Sequence, residues 1–362
     1  VPDVGEVICA LAAESVRRCT RPAPRHIASL AWACAKAQVQ DPKLVFQMSA
    51  DACAQLDEFE PQALANLAWA LATLAGAGVA SDSGWLLAAA LPAAALPKLR
   101  EFNPQELSNI AWACVALSVD PCLVRAVAVE AVHQLAAFPM EDLSGLAWAC
   151  AEAGDAEDIV LSAIAAEVAG RLRNQPLQGL AALHRGDGAR RSIDAVADIA
   201  GVAWACCLSG RLCAKFLTAA FRSVLEMGRV MDNRQATPMA TPGLASIVDM
   251  TLMADRMTDP FIVLDLPDRM VVWKPSGWEV NQTCASLAVA LETTRGARPL
   301  SGYLQGLLPA RRHPILQDES HELGILHRLD VPTSGLLLVA KTYASHYDLT
   351  LQLGVGRLRR EY

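Results

Sequence analysis

Aromatic side chains are scarce in this 362-residue chain, at 5% of all residues, although hydrophobic residues together reach 53%. Much of the apolar fraction is alanine, which favours close-packed helices over a β-sandwich, whose strands are enriched in aromatic and β-branched residues. Charged residues are also few, at 19%, so the composition excludes a disordered chain or a polyelectrolyte. The length exceeds what one compact core usually serves, and we therefore expect two domains.

The lack of net positive charge, of metal-ligand spacings and of a long apolar run excludes further classes of function. The net charge is −7, so the chain does not hold nucleic acid by bulk positive charge. No CxxC pair and no histidine at a metal-ligand spacing occurs, which indicates structural thiols in a reducing compartment. Residues 61–81 carry no charge but include Gln, Asn and Ser, which predicts a buried helix and no membrane span.

An internal repeat occupies the first two thirds of the chain. It comprises IASLAWACA from Ile27, ALANLAWALA from Ala63, ELSNIAWACV from Glu106, DLSGLAWACA from Asp142 and the weaker DIAGVAWACC from Asp198. Apolar residues recur at helical i, i+3, i+4 and i+7 spacing, and a second helix follows in each unit. No unit can bury its apolar face alone, so residues 1–228 are predicted to form an all-α solenoid of helical-hairpin repeats.

The repeat also predicts which residues fill the core. We expect the tryptophans to be core residues at a fixed packing position: Trp32, Trp69, Trp112, Trp148 and Trp204. The small thiols found two residues later should be buried as well. These are Cys34, Cys114, Cys150 and Cys206.

The segments PQALANLAWALATL (residues 61–74) and PQELSNIAWACVAL (104–117) resemble the octotricopeptide repeats. The resemblance implies RNA binding by the solenoid and favours an organelle, chloroplast or mitochondrion, without fixing which. A solenoid that binds a protein partner instead stays open.

The composition changes after residue 228. Residues 229–257 have little periodicity and are predicted to be a linker. From residue 258, short β-rich runs alternate with helical stretches, which predicts an α+β domain with a mixed sheet over 258–362. Strands are expected at Phe261–Leu264, Met270–Trp273, Gly324–Leu326 and Gly335–Ala340, and helices at Ser286–Thr294 and Tyr343–Leu353.

One run in this domain carries candidate chemistry. In ILHRLDVPTSGLLLVAKT (residues 325–342), Asp330 ends a strand beside His327 and Arg328. A carboxylate on such a loop, next to a permanent cation, can act as a nucleophile or general base. By spacing alone, an ordinary structural ion pair between Arg328 and Asp330 explains the pattern equally well.

The run resembles the HRLDxxTSGLLLVAKT signature of the RluA-type pseudouridine synthases. VVWKPSGW (271–278) is similar to the upstream Lys-Pro-x-Gly element of that family, and the terminal LRREY is similar to the segment that holds its active-site tyrosine. Lys274 and Gly277 are expected to form a turn that supports the site. The Lys-Pro-x-Gly element lacks its usual His-Pro continuation.

The resemblance implies a role for each matching residue. Asp330 would be the essential catalytic carboxylate, and Arg328 would hold the place of the flipped-out nucleotide. Tyr362 would stack on the target uracil, and His327, Thr333 and Ser334 would be substrate-binding residues as well. From their residue types alone, His327 can instead be a structural hydrogen-bonding residue, and Thr333 and Ser334 can satisfy the loop backbone around Asp330. No metal or organic cofactor is implied.

The resemblance to the synthases stops in mid-domain at Tyr362, so we expect the chain to be a fragment that holds an N-terminal part of the catalytic domain, with its sheet incomplete. The predicted function is isomerisation of uridine to pseudouridine in RNA, with the repeats contributing RNA binding. The alternative is a non-catalytic RNA- or protein-binding repeat protein with a vestigial synthase domain. The choice among ribosomal, transfer and messenger RNA stays open.

Overall fold

The computed structural model describes residues 4–18, 21–39, 41–78, 81–154, 158–174, 188–235, 246–247, 258–280 and 298–358. The chain divides into two compact units. The first comprises Val1–Arg171 and Gly201–Leu217, and the second comprises Leu172–Ala200 and Thr218–Tyr362. The N-terminal part is helical, and a small antiparallel sheet lies in the C-terminal region.

Eleven α-helices of the described residues precede the first strand of the sheet in the chain. They are α1 (Val4–Arg18), α2 (Pro24–Lys36), α3 (Pro42–Cys53), α4 (Pro61–Gly76), α5 (Ser81–Ala95), α6 (Pro104–Ala116), α7 (Pro121–Val132), α8 (Met140–Glu152), α9 (Asp158–Asn174), α10 (Gly188–Leu208) and α11 (Ala214–Gln235). Short 3₁₀ turns follow α3, α5 and α7 at Leu56–Glu58, Leu96–Glu101 and Leu135–Ala137. None of the helices in the described part of the chain is long and apolar enough to cross a membrane.

The first helix of three repeats begins with a similar local arrangement. A buried phenylalanine precedes the N-cap of α4, α6 and α8: Phe59, Phe102 and Phe138. In α6, the Asn103 side chain accepts a hydrogen bond from the Glu106 amide at 3.0 Å, and the Glu106 carboxylate accepts one from the Asn103 amide at 2.9 Å. This reciprocal capping box satisfies two helix-end donors that otherwise have no partner.

In α8, the carboxylate at the third helical position lacks the hydrogen bond that its counterpart in α6 accepts. Pro139 is the N-cap there, and proline has no N–H to donate to the carboxylate three residues later. Asp142 is 8% exposed, and its Oδ2 has no hydrogen-bond partner among the described residues. Burial, aided by repulsion from Glu141, raises the pKa of Asp142 to about 6.

The core of the first unit lies where α2, α4, α6 and α8 pack against one another in succession. Leu64, Leu67 and Leu71 of α4 are fully buried. Small residues let the helices approach closely: a Cβ on Gly145 would lie 2.9 Å from the Ser108 hydroxyl. The four cysteines that follow the tryptophans are buried free thiols, as predicted, and burial raises the pKa of Cys114 and Cys150 to about 12.

The prediction that the tryptophans are core residues is wrong. Trp32 is 45% exposed, and the rest of the set, Trp69, Trp112, Trp148 and Trp204, are half-buried. In α4, leucine and alanine occupy the buried positions, while Trp69 shares the solvent side with Gln62, Asn66 and Thr73. These positions are spaced four, three and four residues apart, which is one face of a helix.

The second unit contains an antiparallel sheet in the order β1-β2-β3-β6. Its strands are β1 (Ser246–Ile247), β2 (Phe261–Asp265), β3 (Arg269–Lys274) and β6 (Gly335–Ala340). The sequence predicts a mixed sheet, but the described strands of this sheet are all antiparallel. Parallel pairing occurs in a separate two-stranded sheet of β4 (Trp278–Glu279) and β5 (Arg298–Pro299). The strand expected at Gly324–Leu326 is reduced to a bridge between Ile325 and Val339, since Glu322 and Leu323 adopt left-handed backbone conformations just before it.

Two helices complete the described sheet region, α12 (Leu300–Leu307) and α13 (Tyr343–Gly354). Helix α13 packs closely on α11, and a Cβ added to Gly228 would collide with the Ala344 backbone. The Asp232 carboxylate of α11 accepts hydrogen bonds from the amides of Tyr343 at 2.8 Å and Ala344 at 3.1 Å. Asp232 therefore satisfies amides of the first turn of a helix more than a hundred residues away in sequence.

A buried polar cluster holds α13 on its other side. The Asp318 carboxylate accepts hydrogen bonds from the Tyr343 hydroxyl and pairs with the His321 ring, whose other nitrogen contacts the Tyr347 hydroxyl at 2.9 Å. His346 lies edge-on to His321 with ring centroids 5.5 Å apart. Burial, together with repulsion from His321, lowers the pKa of His346 to about 4.

Helix α11 continues to Gln235, into the segment predicted to be a linker. The helix expected at Ser286–Thr294 lies outside the described residues. The division into domains at 1–228, 229–257 and 258–362 stays a prediction.

Candidate active site

The two motifs singled out in the C-terminal third meet at one end of the sheet. Strands β3 and β6 are antiparallel, with Lys274 opposite Gly335 and Arg269 opposite Ala340. The turn that follows β3 and the loop that precedes β6 must therefore lie side by side. The Gly277 amide donates a hydrogen bond to the Val331 carbonyl at 2.8 Å. Gly277 has φ +84°, a left-handed conformation in which glycine carries no steric penalty.

The Lys274 side chain connects this turn to the loop by hydrogen bonds. Its side chain is fully buried, and the ammonium donates hydrogen bonds to the carbonyls of Trp278 at 2.7 Å, Pro275 at 3.2 Å and Val331 at 3.3 Å. Burial lowers the pKa of Lys274, and the negative charge of Asp330 acts in the opposite direction. The turn predicted at Lys274 and Gly277 is present, and the Lys274 ammonium lies close enough to Asp330 to interact with it electrostatically.

Asp330 lies on the loop directly before the residue that Lys274 holds. Its carbonyl accepts a hydrogen bond from the Thr333 amide at 3.0 Å, which closes a tight turn. The side chain is exposed, and no hydrogen bond from a described residue engages its carboxylate. A fixed backbone with an accessible carboxylate suits a group that must reach a reacting atom of a bound ligand.

His327 belongs to the edge of the sheet. Its Nε2 accepts a hydrogen bond from the Leu338 amide at 3.3 Å. Next to it, the Leu326 amide donates to the Leu338 carbonyl at 3.2 Å. These bonds align the residues before the loop with β6, so His327 fixes the direction in which the chain enters the loop.

The other matching residues line the exposed side of the loop. The side chains of Arg328, Thr333 and Ser334 are exposed, and no ion pair joins Arg328 to Asp330 within the described residues. Thr333 contributes to the turn through its backbone amide. The loop thus presents a guanidinium, a carboxylate and two hydroxyls to solvent, on a backbone held by Lys274 and Gly277. Tyr362 lies outside the described residues.

Two cations at the far end of β3 and β6, the buried Lys341 and the half-buried Arg269, are bonded within the fold. Lys341 donates to the Asp265 carboxylate at 2.6 Å and to the Leu266 carbonyl at 2.8 Å. Arg269 pairs with Asp268 at 2.6 Å and Asp348 at 3.0 Å. Within the described part of the chain, no group of three or more His, Cys, Asp or Glu side chains is placed to hold a metal ion.

Comparison with protein-family models finds a match to the RNA pseudouridylate synthase family over residues 269–362. A comparison with curated proteins finds no match. The matched segment is about a quarter of the chain and contains β3, the Lys274 turn, the Asp330 loop and β6. The two motifs that meet at the end of the sheet therefore lie in the part of the chain that is similar to an RNA pseudouridylate synthase.

Proposed function

We propose that the protein is an RNA pseudouridine synthase of the RluA type, with Asp330 as its essential carboxylate. One observation carries the proposal. The Asp330 loop lies within the segment that matches the synthase family, and Lys274 and Gly277 hold that loop at the sheet end while the carboxylate faces solvent.

The reaction is an isomerisation, which needs no external reactant. Asp330 attacks the target uridine or its ribose, and the bond between N1 of the base and C1′ of the ribose breaks. The base turns so that C5 bonds to C1′, and the bond that Asp330 formed breaks: C5 displaces the carboxylate if it is attached to C1′, and elimination releases it if it is attached to the base. C5 loses its hydrogen as a proton, and N1 gains one. An ionised carboxylate with free lone pairs can perform the attack and the proton transfer.

The remaining matching residues are assigned to bind the nucleotide that is flipped out of the RNA. An enzyme that acts on a base must take that base out of the stack. The exposed Arg328 is positioned to contact the RNA where the nucleotide left, and Tyr362 supplies the flat surface on which uracil stacks. Thr333 and Ser334 lie on the exposed side of the same loop, and His327 keeps the loop entry in place through β6.

The N-terminal helices are proposed to be an octotricopeptide-like solenoid that contributes RNA binding, in a chloroplast or mitochondrion. The succession of α2, α4, α6 and α8 supports this assignment. The alternative, a repeat protein that binds RNA or protein and carries an inactive synthase domain, rests on the larger share of the chain given to helices.

Release of tritium from RNA labelled at uridine C5 tests the proposal, since the isomerisation frees that hydrogen. The protein expressed from its full coding sequence is compared with Asp330→Asn and with Glu319→Gln, which removes another exposed carboxylate of the same unit. We expect release from the wild type and Glu319→Gln, and a loss of at least about a thousandfold in Asp330→Asn. Equal release from all three, or none from the wild type, would refute the proposed role.

A further inference from the structure

The repeat tryptophans, of which Trp32 is exposed and the others are half-buried, form a row along one side of the helices. Each occupies the same position in the repeat, and α2, α4, α6 and α8 pack in succession. The rings of Trp69 and Trp112 lie with centroids 6.5 Å apart. The Lys36 ammonium lies 4.8 Å from the Trp69 ring centroid and 5.6 Å from that of Trp32. Three successive helices thus present one connected aromatic surface with a cation held over it.

Side-chain amides accompany the rings. The positions three and seven residues before each tryptophan share its face of the helix, and in α4 and α6 they are Asn66, Gln62, Asn109 and Gln105. All four are exposed or half-buried. No described residue forms a hydrogen bond with their side chains, so each amide retains two donors and an acceptor lone-pair set for a ligand.

Charge along the row changes sign from one end to the other. In α2, the positions seven before and four after the tryptophan are Arg25 and Lys36, both exposed. The corresponding positions of α4 and α6 are uncharged, and those of α8 are Glu141 and Glu152. The row is therefore positive to neutral from α2 to α6 and negative at α8, which limits an anionic ligand to the first three helices.

We infer that the Trp32–Trp69–Trp112 row binds single-stranded RNA, with bases stacked on the rings, amides on base edges and phosphates near Lys36 and Arg25. Aromatic side chains that carry nearby cations bind single strands because every base has a stacking face, and amides can bond base edges. The choice of RNA over another anionic polymer rests on the proposed function. The row is a second RNA-contacting surface and belongs to the first compact unit, whereas the Asp330 loop belongs to the second.

Fluorescence anisotropy with a labelled oligouridine of about 15 nucleotides tests this surface on the full chain. Two matched pairs of variants are informative. Trp69→Leu removes a ring of the row, whereas Phe46→Ala removes an aromatic ring that is 48% exposed on α3. Lys36→Glu and Lys43→Glu make the same charge change, but Lys43 is exposed on α3. Trp69→Phe, which keeps a stacking ring, and far-UV circular dichroism exclude loss of fold as the cause.

We expect Trp69→Leu to weaken binding about fivefold or more, and Trp69→Phe less. Lys36→Glu should weaken binding and reduce the slope of log affinity against log salt by about 0.7, the value for one phosphate contact on a single strand. Phe46→Ala and Lys43→Glu should bind as the wild type does, and the same RNA in a duplex should bind more weakly.

Unchanged RNA affinity in Trp69→Leu and Lys36→Glu would overturn the inference, and a protein segment that competes for the row without RNA binding would do the same. The synthase proposal is scored separately, by tritium release from C5-labelled RNA. Release that depends on Asp330 with an inert tryptophan row rejects only the binding surface. RNA affinity that depends on the row without release rejects only the synthase.

Discussion

Replacing Lys274 by methionine should loosen the Asp330 loop. The substitution retains an apolar stem of similar length but leaves three carbonyls, of Pro275, Trp278 and Val331, without the buried ammonium. Hydrogen bonds from a charged donor contribute about 1.5–3 kcal/mol each, and loss of one partner leaves the other desolvated. Since two of the three distances exceed 3.1 Å, we expect about 3–5 kcal/mol of lost stability in total.

Differential scanning calorimetry and tritium release, both on the same preparation, measure the two consequences. A loss of about 3–5 kcal/mol lowers the melting temperature of a unit of this size by roughly 10 °C. Lys341→Met is the matched control, because Lys341 is similarly buried, makes two hydrogen bonds and lies at the opposite end of β6.

Assayed well below both melting temperatures, Lys274→Met should release tritium more slowly than Lys341→Met, since only the former frees the backbone beside Asp330. Equal rates in the two variants would refute the claim that Lys274 positions the loop. An unchanged melting temperature in Lys274→Met would refute the hydrogen-bond argument itself.

Three further predictions concern a buried carboxyl group of the first unit, and a buried histidine and a close helix contact of the second. Asp142→Asn should stabilise the first unit by about 1–3 kcal/mol near pH 8, because the raised native pKa of Asp142 makes the charged carboxylate unfavourable above about pH 6. Urea titrations should show that this gain shrinks as the pH falls towards about 4, since the wild-type carboxyl group becomes protonated in the native state. A gain that does not depend on pH would contradict the raised pKa of Asp142. Lowering the pH from about 6.5 to about 4 should destabilise the second unit by up to about 3 kcal/mol through His346. Because the native pKa of His346 is lowered, only the unfolded state takes up a proton in this interval. His346→Gln should reduce the slope of the unfolding free energy against pH in the same titration, and an equal slope would show that other groups dominate. Gly228→Ala should cost about 1–3 kcal/mol by calorimetry, because its Cβ would collide with Ala344, whereas Gly170→Ala, which has no atom within 4 Å of the added carbon, should not destabilise.

The sequence predicts the parts of the structure that depend on local pattern. The strand Gly335–Ala340 appears at its predicted bounds, and the helix from Tyr343 ends one residue later than expected. The burial of Cys34 and its counterparts follows from their fixed position in an amphipathic helix. The turn at Lys274 and Gly277 is also predictable, because a lysine, a proline and a glycine follow a β-rich run.

The orientation of the tryptophans is not predictable from hydrophobicity alone. In α4 alanine and leucine occupy most positions, so the apolar face has no clear edge and a tryptophan can be assigned to either side. The informative residues are the polar ones: Gln62, Asn66 and Thr73 share the face of Trp69. Their spacing identifies the solvent side of the helix better than the apolar residues identify the core.

Contacts between segments that are distant in sequence cannot be predicted from the local sequence pattern. Asp232 satisfies the first amides of α13, and the sequence around it shows only a charged residue near a helix end. The buried cluster of Asp318, His321 and Tyr347 likewise combines a 3₁₀ segment with a helix. Partners of this kind depend on packing, which periodicity does not encode.

Whether Asp330 performs the isomerisation is decided by tritium release at uridine C5 from wild type and Asp330→Asn, together with nuclease digestion of the RNA and quantification of pseudouridine. We expect one pseudouridine for each tritium released by the wild type, and neither product from Asp330→Asn while Glu319→Gln stays active. Pseudouridine formed by Asp330→Asn at the wild-type rate would contradict that role of Asp330.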